Sequence, residues 1–139
     1  MSIFHEASTP LNSKVVASSS GILLTNVPCD PTVYVGAAVR MDSLGTAYNA
    51  QANVEANSNV IGIVQAKSSS TLCDIRVTGA TPAIFLSLDP TKEYFLSETV
   101  AGGLTITPPT GSGQIVLRIG QPLSATRLVV NKGTGFKRA

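Results

Sequence analysis

YFLSETVAGGLTITPPTGSGQIVLRIGQPLSATRLVV, residues 94–130, is the stretch that decides the fold. Apolar and polar residues alternate through it in three runs, separated by Gly102-Gly103, Pro108-Pro109 and Gly111-Ser112-Gly113. Alternation with period two puts every second side chain on one face of a strand, and Gly, Pro and Ser clusters supply the tight connections between strands. The segment therefore reads as a β-meander. It carries little charge and no helical periodicity.

The same reading extends towards the N-terminus. Ile22–Val27 and Val33–Met41 read as the first strands, separated by a Pro28-Cys29-Asp30-Pro31 turn, because proline cannot donate to a ladder. A hairpin is expected around Ser43-Leu44-Gly45, and residues 51–59, rich in Ala and Asn, read as a loop with at most one helical turn. Val60-Ile61-Gly62-Ile63-Val64 is continuously apolar, as in a strand buried on both faces, and its glycine implies a bulge or a close backbone approach. In Leu72–Thr78, Cys73, Ile75 and Val77 form the core face, while Asp74 and Arg76 point the other way and are placed to pair. Ala83–Leu88 is expected to add a short strand, followed by a turn at Asp89-Pro90-Thr91-Lys92. Residues 39–50 followed by 60–64 have the same order of strand, Gly-containing turn, strand, linker and glycine-bearing β-branched strand as residues 94–107 followed by 115–120. Either a duplicated strand motif or the general likeness of meanders accounts for that echo.

Length and composition fit one domain. The chain has 139 residues, 43% of them hydrophobic, yet only 13% are Asp, Glu, Lys or Arg, about half the usual charged share. A surface of Ser, Thr, Asn, Gln, Ala and Gly suits a protein repeated around a symmetric assembly, where like charges would repel. The division expected is an extended N-terminal arm over 1–20, a β-rich body over 21–131 and a basic tail over 132–139. Within the arm, Ile3, Phe4, His5 and Leu11 are candidate contact residues for a partner, and Phe136 in the Gly-rich tail is another.

Several chemistries are disfavoured. His5 is the single histidine, sits beside Glu6 in the arm and lacks the fixed partner a catalytic imidazole needs. Glu93 and Glu98 flank one strand but are five apart, so alternation sends them to opposite faces, against the geometry of a glycosidase pair. The paired glycines precede no helix and no GK[ST], and the Ser-rich stretches contain no nucleophile elbow, so no enzymatic activity and no cofactor are expected. One histidine and two cysteines cannot supply an ordinary zinc site, and Asp42 and Asp89 lack the oxygen density of a calcium loop. Cys29 and Cys73 read as buried free thiols or as a cross-sheet disulfide. Net charge is +2, with Arg118, Arg127, Lys132, Lys137 and Arg138 near the C-terminus, but without Trp and with few aromatics a nucleic-acid partner is not expected. The N-terminus lacks the pattern of a secretion signal and no apolar run reaches bilayer length, so no membrane partner is expected and the chain reads as made in the cytoplasm.

Taken together, VYVGAAVRMDSLGTAYNAQA, VIGIVQAK, CDIRVTGA and the opening segment with its YFLS and VxxIGxxLSxTxLxV motifs resemble small virion proteins of tailed bacteriophages, over residues 33–131. The resemblance implies an all-β sandwich or small β-barrel with an extended N-terminal arm. It also implies a decoration (cement) protein on the capsid surface of the virion that clamps neighbouring major capsid subunits, as a homo-oligomer, a trimer rather than a dimer. A tail-fibre or other tail-associated host-binding component is the alternative. Fibre modules are more often pieces of long repetitive chains, so a chain of 139 residues favours decoration.

Overall fold

In the computed structural model, residues 14–18 are described by their backbone and residues 21–139 in full. Strands account for 44% and helix for 3%, in a curled antiparallel sheet with the form of a half-barrel, as the all-β expectation required. Its strands are β1 (Lys14–Ser18), β2 (Gly21–Pro28), β3 (Ala38–Met41), β4 (Ala47–Asn49), β5 (Val60–Ser69), β6 (Leu72–Ala80), β7 (Tyr94–Leu96), β8 (Leu104–Thr105), β10 (Arg118–Pro122) and β11 (Leu128–Val130). A separate two-stranded sheet pairs β9 (Ile115–Val116) with β12 (Phe136–Lys137). The only helical element among the described residues is a single 3-10 turn over Glu55–Asn57, inside the segment expected to be a loop.

The large sheet runs β4-β3-β5-β6-β11-β10-β7-β8, with β2 and β1 attached through β6. Its two halves have the same wiring. In each, a hairpin (β3–β4, β7–β8) is followed by a strand that pairs back onto the first hairpin strand (β5 on β3, β10 on β7) and then by that strand's own antiparallel neighbour (β6, β11). The likeness reaches single residues. β5 shifts register against β3 at Ile61, just before Gly62, and β10 shifts against β7 at Ile119, just before Gly120. A Cβ on Gly62 would lie 2.4 Å from the Arg76 carbonyl oxygen, and one on Gly120 would lie 2.0 Å from that of Val129. Each half is also preceded by an Asp-Pro-Thr turn. Asp30 Oδ2 accepts from the Thr32 amide and hydroxyl, and Asp89 Oδ1 accepts from the Thr91 amide at 2.9 Å and hydroxyl at 2.6 Å. A shared bulge, glycine contact and turn chemistry in matched positions are the marks of an internal repeat. Strand alternation alone does not produce them.

β6 is where the halves meet. Arg76 faces Leu23 of β2 on one side and Ile63 of β5 on the other; Gly79 faces Gly21 of β2 and Val130 of β11. One edge of β6 thus carries β2, while the other carries β5 and β11 end to end, and this divergence lets the sheet close over its core. Ile63 (β5) packs with Leu96, Ile119, Leu128 and Val130 in one cluster, and the adjacent Val64 packs with Val39, Cys73 and Ile75 in another. Both faces of β5 are therefore buried, as its unbroken apolar run implied.

Four readings change. Residues 14–18, assigned to the arm, form β1 in a five-residue register with β2. Val33–Ala37 is not strand: Gly36 has φ +95° and Ala37 N–H bonds the Tyr34 carbonyl in a turn, so only Ala38–Met41 joins the ladder. Ala83–Leu88 is irregular, because Phe85 and Leu88 donate their N–H groups to Thr126 and Ala125 in a loop rather than to a strand, and Ser87 sits at φ +58°. Asp74 and Arg76 do not pair with each other. Asp74 Oδ1 accepts from Asn26 N–H at 3.1 Å, and Arg76 Nε donates to Gln65 Oε1 at 3.0 Å.

Candidate contact surface

The expected contact residues Ile3, Phe4, His5 and Leu11 lie outside the described residues. Phe136 is placed in β12 opposite Val116, 54% exposed, with the Arg138 guanidinium 5.5 Å over its ring. The tail around it is tied to the body. Lys132 Nζ donates to the Val60 carbonyl at 2.7 Å, Gly133 N–H to that of Arg118, and Arg138 N–H to that of Gln114. Phe136 lies with Lys132, Lys137, Glu55 and Ser58 along an open groove of about 540 Å³.

A more apolar surface forms elsewhere, from three loops. The first, residues 31–37, follows the Asp30 turn and is pinned by Gly36 N–H to the Val64 carbonyl and by Tyr34 OH to the Ala101 carbonyl at 3.1 Å. Phe85 in the second, residues 82–93, lies against Gly36, where a Cβ would be 3.4 Å from its ring. The third, residues 97–103, turns because Ser97 Oγ accepts from the Thr99 and Val100 amides. Between them opens a groove of about 330 Å³ lined by Tyr34, Val35, Phe85, Leu86, Leu88 and Leu104 among others, with no charged residue in its lining. Leu86 is 87% exposed and Val100, in the adjoining turn, 55%. Large exposed apolar groups gathered at one end of a domain mark a contact surface rather than scattered surface residues.

Sequence reasoning missed this patch. Period-two reading assigned Ala83–Leu88 to a short strand and marked no contact surface there. The usable signal was the excess of apolar residues in AIFLSL between Pro82 and Pro90, more than one short edge strand can bury.

The polar candidates are held in turns. Asp42 Oδ1 caps the hairpin by accepting from Leu44 and Thr46 N–H, both at 2.9 Å. Hydrogen bonds from Thr32 hold the Asp30 carboxyl below its ordinary pKa, and those from Thr91 do the same for Asp89. β7 ends at Leu96, so Glu98 lies beyond the strand in the Ser97 turn, and strand alternation does not govern its direction relative to Glu93. Glu93 stands 3.8 Å from Arg118, half-exposed, a pair worth about 0–1 kcal/mol. Among the described residues no three of His, Cys, Asp or Glu gather as metal ligands, and no helix is long and apolar enough to cross a membrane.

Cys29 and Cys73 are free and buried. Burial first, and the neighbouring Cys29 second, push the Cys73 thiol up to about 12. The unfolded thiol ionises near 9, so the fold favours the neutral form. Its contribution to stability is complete below pH 9 and is lost as pH rises from 9 towards 12. Urea unfolding at pH 7.5 and pH 10 should show a lower midpoint at pH 10, and Cys73→Ala should remove most of that difference.

Compared with protein-family models, curated proteins and solved structures, the chain matches none.

Proposed function

We propose that this protein decorates and stabilises the head shell of a tailed bacteriophage, seating its apolar end across neighbouring major capsid subunits and working as a homo-oligomer in a non-catalytic role. The observation that carries the reading is the apolar patch of Tyr34, Val35, Leu86 and Val100, each more than 40% exposed, at a groove with no charged residue in its lining. A weakly charged surface supports it, since few ions must be desolvated when the protein lies flat on a shell. The duplicated, curled sheet supplies a rigid platform for the three loops. Many copies per particle then multiply a modest contact energy.

The test is binding to expanded shells that lack the protein, read as copies per particle and as the shell's gain in thermal resistance. Wild type should bind in large numbers over the head. Burying a leucine contributes about 1.5–3 kcal/mol, so Leu86→Asp should weaken binding by about 10- to 150-fold. Because Leu86 is almost fully exposed, the variant's own stability should stay within about 0.5 kcal/mol. A wild-type protein that ignores such shells, or that is found on virions only as a few copies at the tail, defeats the reading.

A further inference from the structure

The β9–β12 sheet ends in an edge, on the outer side of β12, that no described strand covers. In its register Phe136 faces Val116 and Lys137 faces Ile115. Arg138 N–H donates to the Gln114 carbonyl at 2.8 Å, and the Arg138 carbonyl accepts from Gly113 N–H at 2.9 Å. Backbone groups in an antiparallel pair turn alternately towards and away from the partner, so those of Lys137 turn outward. Residues 134–137 are all exposed. The segment is nonetheless fixed on both sides: Lys132 Nζ donates to the Val60 carbonyl, Gly133 N–H to that of Arg118, and Arg138 Nε to that of Pro109 at 3.0 Å. An edge set in advance loses little freedom when a further strand joins it.

Charge narrows what that strand can be. Lys132 and Lys137 line the adjoining groove, and Arg138 lies over the Phe136 ring. None of the three has a carboxylate partner among the described residues, where the single ion pair is Glu93 with Arg118. Glu55 is the one acid in the groove lining. Lysine on an open edge deters neutral and basic strands, while Asp or Glu placed opposite it pairs favourably. Phe136, 54% exposed beside Lys137, offers an apolar contact on the other face of the strand. We infer that β12 takes up an extended acidic peptide segment of another protein, whose carboxylates meet Lys137 and the groove cations and whose alternate apolar residues meet Phe136. Main-chain bonds to Lys137 attract any strand, and the flanking side chains select among strands. A nucleic acid fits this site less well, because one ring makes no run of stacking platforms and a sugar–phosphate chain has no N–H and C=O pair for the open edge. The groove shares no lining residue with the loop patch assigned to the shell, so the site goes beyond that reading and adds a second partner.

The full-length protein is applied to an array of random nonapeptides, and to an oligothymidine as a second probe, beside Lys137→Glu and Leu86→Asp. Protection of the buried Cys29 and Cys73 thiols reports the fold. Wild type should retain peptides in which Asp or Glu alternates with apolar residues. Lys137→Glu should bind those peptides about 10-fold or more weakly and take up basic ones instead. With the best-retained peptide bound, the Lys137 amide should exchange with deuterium at least about 10-fold more slowly, which a contact between charges alone does not produce. Leu86→Asp should keep the peptide preference of wild type, so that failure of the shell reading and failure of this one are told apart. Should Lys137→Glu lose thiol protection, Lys137→Gln, which removes the charge alone, decides by the same loss of acidic peptides. An array that retains no peptide, a preference unchanged by a folded Lys137 variant, an unprotected Lys137 amide, or tighter binding of the oligothymidine overturns the inference.

Discussion

Gly120→Ala is expected to cost about 3–5 kcal/mol of folding stability. The new Cβ would stand 2.0 Å from the Val129 carbonyl oxygen, and that atom belongs to the ladder in which Gln121 faces Val129 and Gly120 faces Val130. A flexible side chain could swing away, but a paired backbone carbonyl cannot. β10 and β11 must separate, which adds the loss of ladder hydrogen bonds, about 1 kcal/mol each, to an overpacking cost of about 1–3 kcal/mol. Gly62→Ala should behave alike, because its Cβ would meet the Arg76 carbonyl oxygen at 2.4 Å in the matching place of the other half. Gly45 is the control. At φ +84° it has nothing within 4 Å of the place a Cβ would take, so Gly45→Ala carries only the left-handed backbone penalty of about 1–2 kcal/mol. Urea midpoints for the three variants check the order. Equal losses at Gly45 and Gly120 would mean that conformation, not close approach, selects glycine in β10.

Gly62 and Gly120 also show what a sequence conveys. Val60–Val64 carries its burial and its bulge in local pattern, because β-branched residues on both faces and a glycine among them leave few other structures open, whereas the run Ile115–Gly120, read as one strand, is divided between β9 and β10 in different sheets. The hairpin at Asp42–Thr46 and the single helical turn at Glu55–Asn57 are legible for the same reason, since short-range hydrogen bonds set them. Lys14–Ser18 is different. KVVAS, between Ser13 and Ser19-Ser20, has no local signal stronger than many loops, and pairing with β2 makes it a strand. Ala83–Leu88 errs the other way, because its alternation suggests a strand while Thr126 and Ala125 take its amides. The contact patch was illegible for a related reason. Periodicity makes Leu86 part of a short strand, and nothing local shows that three separate loops bring it into one apolar surface.

The core prediction with the largest expected effect concerns Ile63, which is fully buried in the cluster shared by the two halves. Ile63→Ala removes aliphatic volume where β5 leaves β3 for β6: Ile63 faces Ala38 on one side and Arg76 on the other. Its neighbours in the cluster, Leu96, Ile119, Leu128 and Val130, come from β7, β10 and β11 in the second half of the sheet, so both repeats contribute to the walls of the resulting cavity. Collapse around that cavity would require the two halves to move together, and Val64 on the opposite face of β5 holds the strand against the second cluster. Relaxation is therefore limited, and the loss should approach the upper part of the range of about 2–5 kcal/mol for buried Ile→Ala changes. Unfolding should remain one cooperative transition, with the urea midpoint lowered and its slope unchanged, because the cluster joins the halves into one unit. A biphasic curve for Ile63→Ala would instead show that the repeats unfold separately, and that the shared cluster couples them less tightly than its packing implies.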